Sequence, residues 1–121
     1  MSLDVYLNSP TPSACGECGS MAQYEELYSA NITHNLSGMA GAAGIYKHLW
    51  RPDELEPPIT RAAELIEPLK AGVVWLKTNP EEAKKHNAAN GWGLYEHFVP
   101  FVEKYLEACI QNPEALVNVS R

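Results

Sequence analysis

Basic side chains, long apolar runs and cysteines are all scarce in this chain of 121 residues. Nine Lys and Arg residues stand against 15 Asp and Glu residues, which gives a formal net charge of −6. Non-specific nucleic-acid binding relies on Lys and Arg to neutralise phosphates, so this balance argues against that function. No run approaches the roughly 20 apolar residues of a membrane span, and the start of the chain lacks the pattern of a secretory signal. We therefore expect a soluble protein of the cytoplasm, with no membrane partner.

Short catalytic motifs are also missing. The sequence has no G-x-S-x-G nucleophile elbow, no H-E-x-x-H zinc helix and no phosphate-binding glycine loop. A site can still be assembled from residues that lie far apart in sequence, so enzyme activity stays open. The missing motifs favour a protein that binds rather than one that catalyses.

Apolar residues make up 45% of the chain, which is enough for a single domain over residues 1–121. Alternation of apolar and polar residues predicts strands at residues 1–7 and 116–121. Helical periodicity predicts about four helices between them, the first of which starts near residues 31–33. We expect the two terminal strands to pair. The predicted fold class is mainly α (α+β), with a two-stranded sheet and a helical core within residues 28–121.

Proline and glycine mark the irregular parts of the chain. Residues 8–27 are rich in Pro, Ser and Gly and predict a cysteine-containing loop. Pro68 is expected to kink or split the second helix, because its ring removes a backbone donor. The small residues from 38 to 44 allow close approach of another element. That element is either the second helix or a second copy of the chain in a homodimer.

Cys15 and Cys18 form a C-x2-C pair followed by glycine, which is half of a zinc knuckle. Two thiolates at this spacing can hold one tetrahedral zinc ion, but the ion needs two further ligands. His34 and Cys109 are candidates within the chain, and another Cys pair could come from a second copy. The alternatives are a redox-active pair and two incidental loop thiols.

Two polar segments are candidate binding sites. The first, residues 31–35, surrounds one isoleucine with polar side chains, which either cap a helix or project toward a ligand. The second, residues 90–96, flanks a tryptophan with glycines; its aromatic side chains either fill the core or line a cleft. The candidate residues are Asn31, Thr33, His34, Asn35, Asn90, Trp92, Tyr95 and Glu96.

Several blocks of the sequence are familiar in combination. They are YSANITHNL at 28–36, AGIY at 43–46, LWRP at 49–52, NGWGLYE at 90–96 and VSR at 119–121. With these blocks the chain resembles a family of small proteins encoded by bacteriophages and prophages, a family without an established activity. The likeness covers residues 28–121 and residues 4–7, and the cysteine pair lies in the stretch where members differ most. The resemblance therefore implies that any metal there is a local staple.

The resemblance implies a phage accessory protein of the host bacterial cytoplasm, and three functions remain open. The first is binding of a host protein or a small ligand, to counter host physiology or defence. The second is a small metal-dependent or nucleotide-processing enzyme that uses His34, Asn35 and Glu96. The third is a minor virion or assembly component. Residues 1–60 contain seven acids and two bases, a charge of 2 − 7 = −5. We therefore expect any basic partner to bind this half with salt-sensitive affinity.

Overall fold

The computed structural model describes residues 2–13, 23–86 and 95–120, with side chains placed for residues 3–9, 26–86 and 95–120. Its sheet consists of β1 (Ser2–Ser13), β2 (Gln23–Thr33) and β3 (Leu116–Ser120). The strands are antiparallel in the order β2-β1-β3. The predicted pairing of the terminal strands is confirmed, with Val5 opposite Val119 and Leu7 opposite Val117.

The prediction of only two strands is wrong. β1 continues to Ser13, and β2 takes up the end of the expected 8–27 loop and the expected start of the first helix. The sequence does carry a signal for β2, because Tyr28, Ala30 and Ile32 pack against the core and alternate with polar residues. The same polar residues are good helix caps, so their local chemistry favours the other interpretation. Pairing with β1, the preceding strand, stabilises the strand conformation instead.

The described residues form five α-helices where about four are predicted, so the fold is mixed α+β. They are α1 (Ser37–Ala42), α2 (Tyr46–Trp50), α3 (Ala63–Thr78), α4 (Pro80–Lys84) and α5 (Tyr95–Gln111). Short 3-10 turns precede α1 at His34–Leu36 and follow α2 at Pro52–Glu54. Pro68 lies inside α3 without splitting it, because the helix runs unbroken through all 16 of its residues. Among the described helices, none has the length and apolar character that crossing a membrane would demand.

The core lies between the helices and one face of the sheet. Leu3, Val5 and Leu7 of β1 are fully buried, as their alternation predicts. α3 and α5 pack against each other and bury the predicted stripes, which include Leu65, Leu69, Val73 and Leu76 on α3 and Phe98, Phe101, Tyr105 and Cys109 on α5. The opposite face of the sheet presents alternate residues of the strands, such as Asp4, Ser29 and Asn118. This arrangement leaves one edge of β3 beside the turn that follows α2.

Candidate functional site

His34 and Trp50 are joined by a hydrogen bond, although they belong to different elements. The indole Nε1 of Trp50 donates to Nδ1 of His34 over 2.8 Å. Trp50 is only 2% exposed, so its N–H needs a partner inside the protein. Because Nδ1 is the acceptor, the proton of the neutral imidazole lies on Nε2, which is the nitrogen left for any other contact. His34 therefore holds the Trp50 side chain in position.

A row of side chains continues from Trp50 across α2 to the surface. The Tyr46 ring stacks on Trp50 with centroids 5.6 Å apart. The Tyr46 hydroxyl accepts a hydrogen bond of 3.4 Å from Nε of Arg51. The guanidinium of Arg51 also donates to Glu54 over 2.6 Å. The structure thus brings together residues from the two neighbouring sequence blocks at 28–36 and 43–52.

The other polar residues of the first candidate segment have local partners. Asn31 lies on β2 opposite Asp4, and its amide donates to the Asp4 carboxylate over 2.7 Å. Thr33 caps the 3-10 turn, because its Oγ1 accepts from the backbone N–H of Asn35. The side chain of Asn35 is exposed. Capping, one of the two alternatives drawn from the sequence, is what Thr33 does here.

The second candidate segment is described only from residue 95, so Asn90 and Trp92 lie outside the described residues. Tyr95 donates from its hydroxyl to the carbonyl of Leu76, over 2.8 Å, and ties the start of α5 to α3. The ammonium of Lys84 lies 5.6 Å from the Tyr95 ring centroid. Glu96 is exposed in the first turn of α5, and no ion pair connects it with His34 in the described structure.

The proposed zinc ligands fall into two groups. Cys15 and Cys18 lie outside the described residues. Cys109 is fully buried on α5, and burial raises the pKa of its thiol to about 12. A zinc ligand must be a thiolate, so zinc binding at Cys109 would have to offset this effect of burial. Within the described ranges, no group of three or more His, Cys, Asp or Glu side chains is arranged to hold a metal ion.

Among the described side chains, two buried polar atoms lack a hydrogen-bond partner, the Tyr105 hydroxyl and Nδ1 of His48. The Tyr105 ring stacks on Tyr28 with centroids 6.0 Å apart. Burial, together with nearby Cys109 and Tyr28, raises the pKa of Tyr105, so the phenol stays neutral. Burial lowers the pKa of His48, because a buried environment disfavours the charged imidazolium form. Neither residue lines the β3 groove; Tyr105 belongs to the core, and His48 is half-buried on α2.

A groove that the sequence does not suggest lies beside β3. The term β3 groove denotes a cavity of about 220 Å³ lined by Pro52, Asp53, Ile59, Val117, Asn118 and Val119. One wall is the segment 52–59, whose ends meet because the Ile59 N–H donates to the Pro52 carbonyl over 3.0 Å. The other wall is the outer edge of β3. The groove exists because this segment arches away from the strand just before residues 60–62 return to pair with it.

The wall formed by segment 52–59 is acidic. Asp53, Glu54 and Glu56 are exposed, and the only basic residue between 51 and 59 is Arg51, a charge of 1 − 3 = −2. Of these three acids, Asp53 lines the β3 groove, and Glu54 and Glu56 follow it in the same exposed segment without lining the groove themselves. Comparisons of the chain with protein-family models, with curated protein sequences and with solved structures find no match.

Proposed function

We propose that this protein acts by binding a partner protein, and that a basic region of the partner occupies the β3 groove. The observation that supports this proposal is that Asp53, the first residue of the acidic segment 53–56, lines a cavity whose other side is an edge strand. Clustered carboxylates beside a concave surface attract and orient a positively charged partner. The groove thus gives the acidic first half of the chain a defined place to bind.

The size of the groove favours a protein partner over a small molecule. Pockets that enclose drug-sized ligands have volumes of roughly 300–1,000 Å³, whereas the β3 groove measures about 220 Å³. Side chains of an adjoining protein can fill a groove of this size while the rest of the contact lies outside it. We therefore place a host protein ahead of a small ligand.

The biological setting of the proposal comes from the resemblance of residues 28–121 to phage and prophage proteins. On that basis the protein is an accessory factor of the host bacterial cytoplasm, and its partner is a basic host protein. The enzymatic alternative would use His34, Asn35 and Glu96. It receives less support, because Nδ1 of His34 already accepts the indole N–H of Trp50.

The test is affinity capture from host lysate with two matched double variants. Glu54→Gln/Glu56→Gln removes two carboxylates from the segment that follows the groove-lining Asp53 and breaks the Arg51–Glu54 ion pair. Glu81→Gln/Glu82→Gln removes two carboxylates from α4 and breaks the Lys85–Glu82 pair, so it matches the first variant in charge and in lost ion pairs.

The proposal expects wild type and the α4 variant to capture the same basic host protein, which elutes as salt is raised. The groove variant should capture at least about fivefold less, since two charge contacts are lost. Equal capture by both variants would place binding elsewhere. If wild type captures no host protein and no ligand co-purifies by native mass spectrometry, the protein does not act by binding in the host.

A further inference from the structure

We infer that the partner binds by strand addition: an extended, basic segment pairs with the outer edge of β3 at Val119. This inference rests on the proposed function, because it specifies how the β3 groove is occupied. The evidence is the difference in strand pairing between the two sides of β3. On the inner side, β1 pairs with β3 throughout, from Asp4 opposite Ser120 to Asn8 opposite Leu116.

On the outer side, pairing stops halfway along β3. The Val117 N–H donates to the Thr60 carbonyl over 2.9 Å, and the Ala62 N–H donates to the Ala115 carbonyl over 2.9 Å. These two bonds flank the bridge between Arg61 and Leu116. Thr60 directs its own N–H to the Glu64 carboxylate, over 2.7 Å, instead of returning it to the strand. The short segment 60–62 therefore covers only the first part of the β3 edge.

The register then fixes the direction of the next backbone groups. Along an antiparallel strand, the N–H and C=O of alternate residues point to the same side. Because the Val117 N–H faces away from β1, the N–H and C=O of Val119 face away from β1 as well. In the described part of the chain, no backbone group pairs with Val119 on that side. An unpaired strand edge of this kind is a template for another strand.

The β3 groove lies at the point where the outer pairing ends. Val119 and Asn118 line it on the strand side, and Pro52 and Ile59 give the opposite wall an apolar surface. An added strand would direct alternate side chains into this space, which is how strand-addition sites obtain specificity. Asp53 lines this side of the groove, and the exposed Glu54 and Glu56 follow it in the same segment, so these carboxylates favour Lys or Arg in the added segment. The occupant is thus an extended segment that combines basic and β-forming residues.

A proline at position 119 separates strand addition from charge attraction. Val119→Pro deletes the outward N–H but removes no bond to β1, and proline is tolerated at strand edges in this orientation. Val119→Thr is the matched control, because it is branched at Cβ and keeps the N–H. Circular dichroism and thermal unfolding of both variants establish that the fold is intact before binding is compared.

The probe is a displayed library of random eight-residue peptides, selected on wild-type protein. Selected peptides should be rich in Lys, Arg and β-branched residues. Their affinity, measured by fluorescence anisotropy, should be about tenfold lower for Val119→Pro than for Val119→Thr, which corresponds to about 1.4 kcal/mol, because only the proline removes the outward N–H. A second readout uses the selected peptides with N-methyl groups on alternate amides, which keep the charges but block strand pairing. In one of the two N-methylation registers, binding should be lost.

The outcomes separate the two proposals. Peptides that bind Val119→Pro and wild type equally, or tolerate N-methylation in both registers, would overturn strand addition and leave charge-driven binding of a partner intact. A library that yields no binders, while lysate capture succeeds and depends on Glu54 and Glu56, would also overturn it. Failure of the lysate capture itself would overturn the proposed function.

Discussion

The indole N–H of Trp50 is held by Nδ1 of His34 across 2.8 Å, and this bond connects α2 to the turn that follows β2. Trp50 is nearly fully buried, and Tyr46 stacks on its other side. His34 thus has a structural role, holding the buried Trp50 in place, that is separate from any role in binding. This relationship leads to a prediction that separates the two.

His34→Ala should reduce the free energy of unfolding by about 1–3 kcal/mol, since it leaves the buried indole N–H without an acceptor. Urea denaturation measures the loss. Trp50→Phe removes the donor, so the double variant His34→Ala/Trp50→Phe should be less destabilised than the sum of the single variants. Additive losses would show that the hydrogen bond contributes nothing to stability. Since the β3 groove does not include His34, partner capture should persist in His34→Ala under native conditions.

A close contact between α2 and α3 predicts the effect of a glycine substitution. A Cβ built on Gly72 would lie 2.8 Å from Cγ2 and 2.9 Å from Cδ1 of Ile45. Gly72→Ala should therefore destabilise the protein by about 1–3 kcal/mol through overpacking. The control is Gly41→Ala in α1, where nothing lies within 4 Å of the added carbon. The control should be neutral or stabilising, because alanine favours helix by up to about 1 kcal/mol.

The same contact can be relieved by shortening its partner. In an Ile45→Ala background the obstructing carbons are gone, so Gly72→Ala should change sign and become neutral or stabilising. Thermal unfolding of the four variants in this cycle gives the answer. A Gly72→Ala penalty that is the same in both backgrounds would mean that Ile45 is not the cause.

The unpartnered hydroxyl of Tyr105 predicts a stabilising substitution. The side chain is fully buried, and its oxygen has no hydrogen-bond partner. Tyr105→Phe removes this unsatisfied oxygen and keeps the ring stacked on Tyr28. We expect the free energy of unfolding to rise by about 1 kcal/mol. Tyr46→Phe is the comparison, because it removes a hydroxyl that accepts from Arg51, and it should not stabilise. A loss of stability in Tyr105→Phe would show that the hydroxyl is satisfied in solution.

The start of α3 predicts a dependence on pH. The Glu64 carboxylate accepts from the backbone N–H groups of Thr60 and Arg61, at 2.7 and 3.0 Å. The hydrogen bond from the Arg61 backbone N–H has the largest effect and the one from the Thr60 N–H the next largest. Together they hold the pKa of Glu64 below its ordinary value. The stabilisation is therefore complete above pH 4.5 and is lost as the pH falls through the lowered pKa. Glu64→Ala should cost about 1 kcal/mol at pH 7.

The control at this position is Glu64→Gln, which retains an acceptor oxygen but cannot titrate. The difference in unfolding free energy between wild type and Glu64→Gln should shrink as the pH is lowered from 7 toward the lowered pKa of Glu64, because the carboxylate then protonates. Urea unfolding at each pH measures this difference. A difference that is independent of pH would assign the effect to side-chain packing.

Local periodicity predicted the parts of the fold in which neighbouring residues decide the structure. The buried stripe from Leu65 to Leu76 on α3 and the inward face of Leu3, Val5 and Leu7 follow directly from residue spacing. The local pattern alone does not predict β2, because the polar residues around Ile32 are equally suited to a helix start. Only pairing with β1, at a register such as Leu3 opposite Ile32, distinguishes the two.

The sequence predicts less of the candidate site than of the fold. His34 was singled out for its chemistry, but its partner Trp50 is fixed by tertiary packing, and the sequence suggests it only through its place in a neighbouring block. The β3 groove depends on where residues 60–62 stop pairing with β3, and no local pattern encodes that point. The sequence signal that bears on this region is the excess of acids in residues 1–60, which include Asp53 of the groove.

The measurement that bears most directly on the central claim is calorimetric titration of the captured host protein at about 50 mM and about 300 mM salt, where screening differs strongly. Wild type and Glu81→Gln/Glu82→Gln should both bind more weakly at the higher salt concentration. Glu54→Gln/Glu56→Gln should bind more weakly at low salt and show a smaller salt dependence, because the acidic segment beside the groove has lost two charges. A salt dependence that is identical in all three proteins would contradict binding at the β3 groove.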